Sequence, residues 1–266
     1  MPIFERDTLS LYYEISGAGP PLLMIAGMMS DSASWAPLIP LLEPHFTLIC
    51  PDNRTTGRTT PWDAPASVDL FASDCAALLK HLEVGPAHVL GHSLGGMIGM
   101  RLACKHPSAV KTLTLAASAP LRLERNVALF KALLAIRRSD AAPDAWLNAL
   151  FPWLFSPALY EIAGAVEQAA AASLAYPFAQ SSDAMAHQID ALDGYTPELA
   201  ASIPCPTQAL LAKDDLLLPY ELAQPTLGGT AFHSIENAGH SIHWDAADEV
   251  AKHVKRFITQ HEGANK

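Results

Sequence analysis

Cysteine is scarce in this chain of 266 residues, and the four present are scattered. Cys50, Cys75, Cys104 and Cys205 form no C-x-x-C pair, which argues against a disulfide framework or a cysteine-built metal site; each reads as a reduced, small core residue. Basic side chains are also in short supply. The 17 Lys and Arg stand against 27 Asp and Glu, a net charge of −10, which argues against nucleic-acid or anionic-membrane partners. Long apolar runs are missing too: the longest, Pro21–Met29, is strand-sized and far from the ~20 residues of a membrane span. The first residues lack the basic head and apolar stretch of a signal peptide, so the expected location is cytoplasmic.

What is present suits one large domain or a domain with an insertion, since about half of the residues are apolar. Leu9–Ile15 alternates apolar and polar positions as a strand does, and Leu22–Ala26, Phe46–Cys50, Ala87–Leu90 and Val110–Leu115 are short apolar runs typical of buried parallel strands. Between them, the Trp35 region predicts a short helix, Ser67–Leu82 a longer one with an apolar face, and the stretch after Ser93 another, out to about His106. This alternation predicts an α/β fold with a mostly parallel, eight-stranded sheet and helices on both faces. The rhythm breaks over residues 121–197, where only helical stretches divided by Pro143, Pro152, Pro157 and Pro177 are visible. It resumes with Thr207–Leu211 as strand, Pro219–Thr226 as helix, Ala231–Ile235 as strand and Asp245–Gln260 as a closing helix. The expected organisation is a core of residues 1–120 and 198–266 around a helical insertion, 121–197.

The most specific local pattern is Gly91-His92-Ser93-Leu94-Gly95 between a predicted strand and helix. A serine on so tight a turn is held in a strained conformation with its hydroxyl exposed, and only small residues flanking it let strand and helix approach. The helix start then offers the Leu94 amide to a developing oxyanion. Such a serine needs a base, and the base needs an orienting acid. Of eleven histidines, His240 lies on a loop just beyond a strand end, where ligand-facing residues of such sheets collect. His243 is its main competitor and reads instead as the start of the last helix, while His92 is expected to point away from the serine. The acid is Asp214 or Asp215, both just beyond the Thr207–Leu211 strand.

These residues together resemble the α/β-hydrolase superfamily, in particular its esterases, enol-lactonases and cofactor-free haloperoxidase-like members. Gly91–Gly96 is similar to the nucleophile elbow, Ala26-Gly27-Met28 stands where the family has His-Gly-x, and Asp52-Asn-Arg54-Thr-Thr-Gly57-Arg-Thr59 resembles its D-x-R-G-x-G-x-S loop. Ala212-Lys-Asp-Asp215 is similar to G-x-x-D and Gly239-His240 to the terminal G-H. Two departures stand out: Ala26 replaces a histidine and Thr55 a glycine. The resemblance implies a catalytic triad of Ser93, Asp215 and His240, an oxyanion hole from the Met28 and Leu94 amides, and a helical lid formed by 121–197.

The expected activity is hydrolysis of small, mostly apolar carboxylic esters or lactones through an acyl-enzyme, with no metal or organic cofactor and a small molecule as the partner. Trp146, Trp153, Phe155 and Phe178 of the insertion are candidates to line the substrate pocket. Competing readings are carbon–carbon bond hydrolysis of ring-cleavage products, which an ordered basic group near Ser93 would favour, and a receptor that holds a small ligand without turnover. Oligomerisation through an apolar lid surface stays open.

Overall fold

The computed structural model describes residues 2–262. Its strands are β1 (Ile3–Arg6), β2 (Leu9–Ser16), β3 (Pro21–Ile25), β4 (Thr47–Pro51), β5 (Ala87–His92), β6 (Val110–Ala116), β7 (Thr207–Ala212) and β8 (Ala231–Ile235). They form one sheet in the order β1-β2-β4-β3-β5-β6-β7-β8, antiparallel at β1, β2 and β4 and parallel from there on. The α/β-hydrolase fold is therefore present, with β5 at its centre.

Period-two alternation explains how the short apolar strands feed two cores. In β3, Leu23 and Ile25 face one layer while Leu22 and Met24 face the other. The first layer holds Phe71, Cys75 and Leu78 of the helix Val68–His81 and Ile98 and Leu102 of the helix Leu94–Lys105. The second holds Trp35, Leu38 and Leu42 together with Val250, Val254 and Ile258 of the helix Ala247–Glu262. The helix Val68–His81 starts where the Ser67 hydroxyl accepts from the Leu70 amide at 3.2 Å, with Asp69 in its first turn and Lys80 and His81 in its last. All four cysteines are free, and among the described residues no helix is long and apolar enough to cross a membrane.

Between β6 and β7 the chain forms the helices Glu124–Arg137, Ala145–Leu154, Ala158–Glu161, Ala165–Ala175 and Ser182–Asp193. Pro152 does not divide them as the sequence suggests; it lies inside Ala145–Leu154, in the last turn, at the cost of the one hydrogen bond its N–H would donate to the preceding turn. The helix expected over Pro219–Thr226 is split into Tyr220–Ala223 and a 3-10 turn at Gln224–Leu227, because Pro225 cannot donate to the preceding turn. The closing helix likewise begins later, at Ala247, after a separate turn at Ile242–Asp245.

A buried ion pair anchors the loop after β4. The Arg54 guanidinium grips Asp74 on the helix Val68–His81 through Nε and Nη2, and Nη1 donates to the Pro65 carbonyl at 3.0 Å. Arg54 is thus a structural loop residue. Asp74→Ala leaves that guanidinium buried without its partner, and the expected loss is about 3–5 kcal/mol. Chemical denaturation of the variant and the wild type measures it.

Candidate active site

Ser93 sits at the junction of β5 and the helix Leu94–Lys105 with φ 53° and ψ −119°, a conformation that a side-chain-bearing residue enters only under constraint. The constraint is visible in its neighbours. A Cβ on Gly95 would lie 1.9 Å from the Ile25 carbonyl oxygen, and one on Gly91 would lie 2.3 Å from that of Gly95. The Ser93 amide donates to Ala116 O at 3.0 Å and its carbonyl accepts from Ser118 Oγ at 2.9 Å, so the turn is tied to the end of β6.

The structure brings the three sequence candidates together. His240 Nε2 is 2.8 Å from Ser93 Oγ, and His240 Nδ1 is 2.8 Å from Asp215 Oδ2. Asp215 is the acid that reaches the ring, while Asp214 faces solvent. The other oxygen of Asp215 accepts from the Leu217 and Leu218 amides at 2.8 and 2.7 Å, which holds the carboxylate as an acceptor on both sides. An acceptor there requires the proton on His240 Nδ1, and Nε2 is left with the lone pair that faces the serine hydroxyl.

Met28 and Leu94 both line a small cavity of about 40 Å³ beside Ser93 and His240. The loop carrying Met28 is held from below by Asn53 Nδ2, which donates to Ala26 O at 3.1 Å. It is held from above by Gln188 of the insertion, whose Oε1 accepts from the Met29 amide at 2.8 Å. Thr55, where the family has glycine, takes the left-handed conformation a glycine would (φ 73°), and its carbonyl accepts from Gln180 Nε2 at 2.9 Å. The substitution therefore preserves the loop's turn.

A second, larger cavity of about 400 Å³ opens on the same two residues, Ser93 and His240. Its walls include Trp146, Phe155 and Phe178, three of the four insertion aromatics expected there. Trp153 is the exception: it packs against the main hydrophobic core but not on the cavity, although it lies two turns from Trp146 on the same side of the helix, so the difference comes from position along the helix and not from its face. Tyr176, another insertion aromatic, lines it too; sequence reasoning gave no site role to Asp31 or Arg137, which also line this cavity and lie in no motif.

His92, expected only to point away from the serine, has a place of its own in the site. Its ring is buried beside that of His240, with centroids 5.1 Å apart, and its Nε2 donates to the His240 carbonyl at 2.8 Å. His243, too, is no simple helix start; it is buried with its ring 4.3 Å from that of His92 and against Trp35. Separations of 148 to 208 residues leave no local signal for these contacts.

The comparisons with known proteins bear on this arrangement. Residues 22–253 match the alpha/beta hydrolase family. The chain belongs to that family. Over 231 residues this hydrolase is 35% identical to RutD of Azorhizobium caulinodans, a candidate carbamate hydrolase by name, with 84% of each chain covered. The enol-lactonase of Burkholderia xenovorans shares its fold with a TM-score of 0.83 at 22% identity, over 97% of this chain and 100% of that one. A thermophilic esterase from Thermogutta terrifontis does so with a TM-score of 0.80 at 22% identity, over 95% and 94% of the two chains.

The buried histidines give the hydrolase a pH-dependent stability. Burial, and next to it the neighbouring His240, lowers the His92 pKa to about 3, and burial also holds His243 well below its ordinary value. The unfolded chain takes up these protons near pH 6.5 while the folded one does not, so the stability present above that pH is lost progressively as pH falls toward 3. The expected slope from His92 is about 1.4 kcal/mol per pH unit. Denaturation midpoints of wild type and His92→Gln between pH 7 and 5 check this; the glutamine amide reaches as far as the Nε2 that donates to the His240 carbonyl, and its slope should be shallower.

Proposed function

We propose that this chain is a serine hydrolase that cleaves small, mostly apolar carboxylic esters or lactones through an acyl-enzyme on Ser93. The observation that carries the reading is the unbroken contact series from Ser93 Oγ through His240 to Asp215, with both steps at 2.8 Å. Ser93 Oγ attacks the carbonyl carbon while His240 Nε2 accepts the hydroxyl proton. Asp215 holds the tautomer and stabilises the imidazolium that forms. The Met28 and Leu94 amides receive the oxyanion, which needs fixed donors in a site shielded from water. Collapse of the tetrahedral species expels the alkoxide, protonated by His240, and a water then repeats the sequence to release the acid and free Ser93. Residues 121–197 serve as a lid, since their aromatic side chains close the larger cavity over the serine.

A second reading is favoured by the name of the RutD relative: the scissile carbonyl belongs to a carbamate. The same attack applies, with a carbamoyl group in place of the acyl group on Ser93. The 40 Å³ cavity beside the serine is of a size for a small acyl or carbamoyl group, and the 400 Å³ cavity for the larger part of the substrate.

A fluorophosphonate probe followed by peptide mapping, together with p-nitrophenyl acetate, butyrate and carbamate as substrates, tests the proposal. The expected result is a single adduct on Ser93 and turnover of the short esters. Faster turnover of the carbamate selects the second reading, and tight ligand binding without turnover of any of them points to a receptor. Absence of both adduct and turnover overturns the proposal.

A further inference from the structure

Arg6, Arg54, Arg58, Arg101 and Arg122 are buried or half-buried, and each meets a carboxylate: Asp74 for the first two, then Asp52, Asp69 and Asp193. Arg137 is half-buried as well, but among the described residues no carboxylate comes within salt-bridge reach of it. It lines the large cavity that opens on Ser93 and His240. Its guanidinium carbon lies over the Trp146 ring, 4.5 Å from the centroid; one terminal nitrogen donates to the Gln180 carbonyl and the other approaches Met185 Sδ at 3.8 Å. The side chain is thus fixed in the wall by neutral partners and is not free to swing its head into bulk water.

Burial alone acts on its charge, in the direction that disfavours it, and no neighbouring acid offsets that cost. Asp31 is the other charged side chain of the cavity, and it is engaged elsewhere, by Tyr176 Oη at 2.8 Å and by the Ala33 amide at 2.9 Å. Holding a guanidinium in this way is unfavourable unless an anion completes the pair, and the planar fork of arginine matches a carboxylate.

We propose that Arg137 forms a subsite for a carboxylate carried by the substrate, so that the preferred ester, lactone or carbamate is a monoanion. This deepens the serine-hydrolase reading above and rests on it. It also departs from the expectation of a small, mostly apolar substrate.

The test compares ethyl hydrogen succinate, glutarate and adipate with neutral ethyl esters of matched length, followed by ethanol release. Wild type should favour the best hemiester by about 10- to 100-fold in kcat/KM, the range of one charge-assisted pair. Arg137→Gln should bring that ratio close to one, and Arg137→Lys, which keeps the charge but not the fork, should retain part of it. Wild-type preference for the neutral esters overturns the subsite whether or not the variants fold, and so does a ratio that Arg137→Gln leaves unchanged. Calorimetry of the hemiesters on Ser93→Ala separates the two levels of the argument. Binding there that is lost in Ser93→Ala/Arg137→Gln, with no wild-type turnover of any ester, supports the subsite and sinks the acyl-enzyme. Ester turnover without hemiester preference does the reverse.

Discussion

Ser93→Ala should reduce kcat on a short ester by about 10⁴- to 10⁶-fold while leaving the protein folded. The size of the loss follows from the arrangement: His240 Nε2 has its lone pair on Ser93 Oγ, and without that oxygen the imidazole has no nucleophile to activate except a loosely placed water. What survives is the contribution of the amides around the oxyanion position and of binding, which in comparable sites is about 10³- to 10⁴-fold over the uncatalysed rate. The fold should be retained because the elbow is held by backbone groups. The bonds from the Ser93 amide to Ala116 O and from Ser118 Oγ to the Ser93 carbonyl need no side chain at position 93. Initial rates on p-nitrophenyl butyrate, with the thermal midpoint as the control for folding, make the comparison. Activity within tenfold of wild type rules out Ser93 as the nucleophile.

Asp215→Asn should lower kcat by about 10⁴-fold near neutral pH, a loss out of proportion to the single atom changed. Asparagine can keep its carbonyl oxygen on the Leu217 and Leu218 amides, where Asp215 Oδ1 now accepts, so the loop keeps its cap. Its NH₂ group then faces His240 Nδ1, and two donors cannot share that contact. The imidazole proton moves to Nε2, the nitrogen that must accept from Ser93, and the base is disabled without being removed. Asp215→Ala adds the loss of both loop hydrogen bonds and should be destabilised as well, by about 1–3 kcal/mol. The comparison is made on ester turnover and on the rate of fluorophosphonate labelling at Ser93, which should fall together in Asp215→Asn. Labelling at the wild-type rate would show that the acid does not act through the base.

Much of this architecture was legible because its signals are local. Short apolar runs broken by Gly and Pro mark β3 to β8 to within one or two residues, since a buried parallel strand must be apolar on both faces. Gly91 and Gly95 mark the elbow because backbone oxygens from neighbouring elements occupy the space of their missing Cβ atoms. β1 was not legible. Ile3–Arg6 is a four-residue edge strand, half-exposed along its length, and only its pairing with β2 makes it a strand. Thr55 shows a related limit: the sequence registers a departure from glycine, but only the tertiary structure shows that the turn is kept, with the Thr55 carbonyl accepting from Gln180 Nε2.

By itself, the sequence determined the alternation of elements, the place of the insertion and the serine, acid and histidine at the carboxyl ends of three strands, because each of these is encoded within a few neighbouring residues. Tertiary structure decided the rest. It joined Asp215 to the ring, turned His92 inward against His240 and His243 against His92, put Trp146 but not Trp153 on the cavity, and left Arg137 without an acid among the described residues. Each of these outcomes depends on which groups meet across tens to hundreds of residues, and hydrogen-bond pairing and charge compensation exist only once those groups have met.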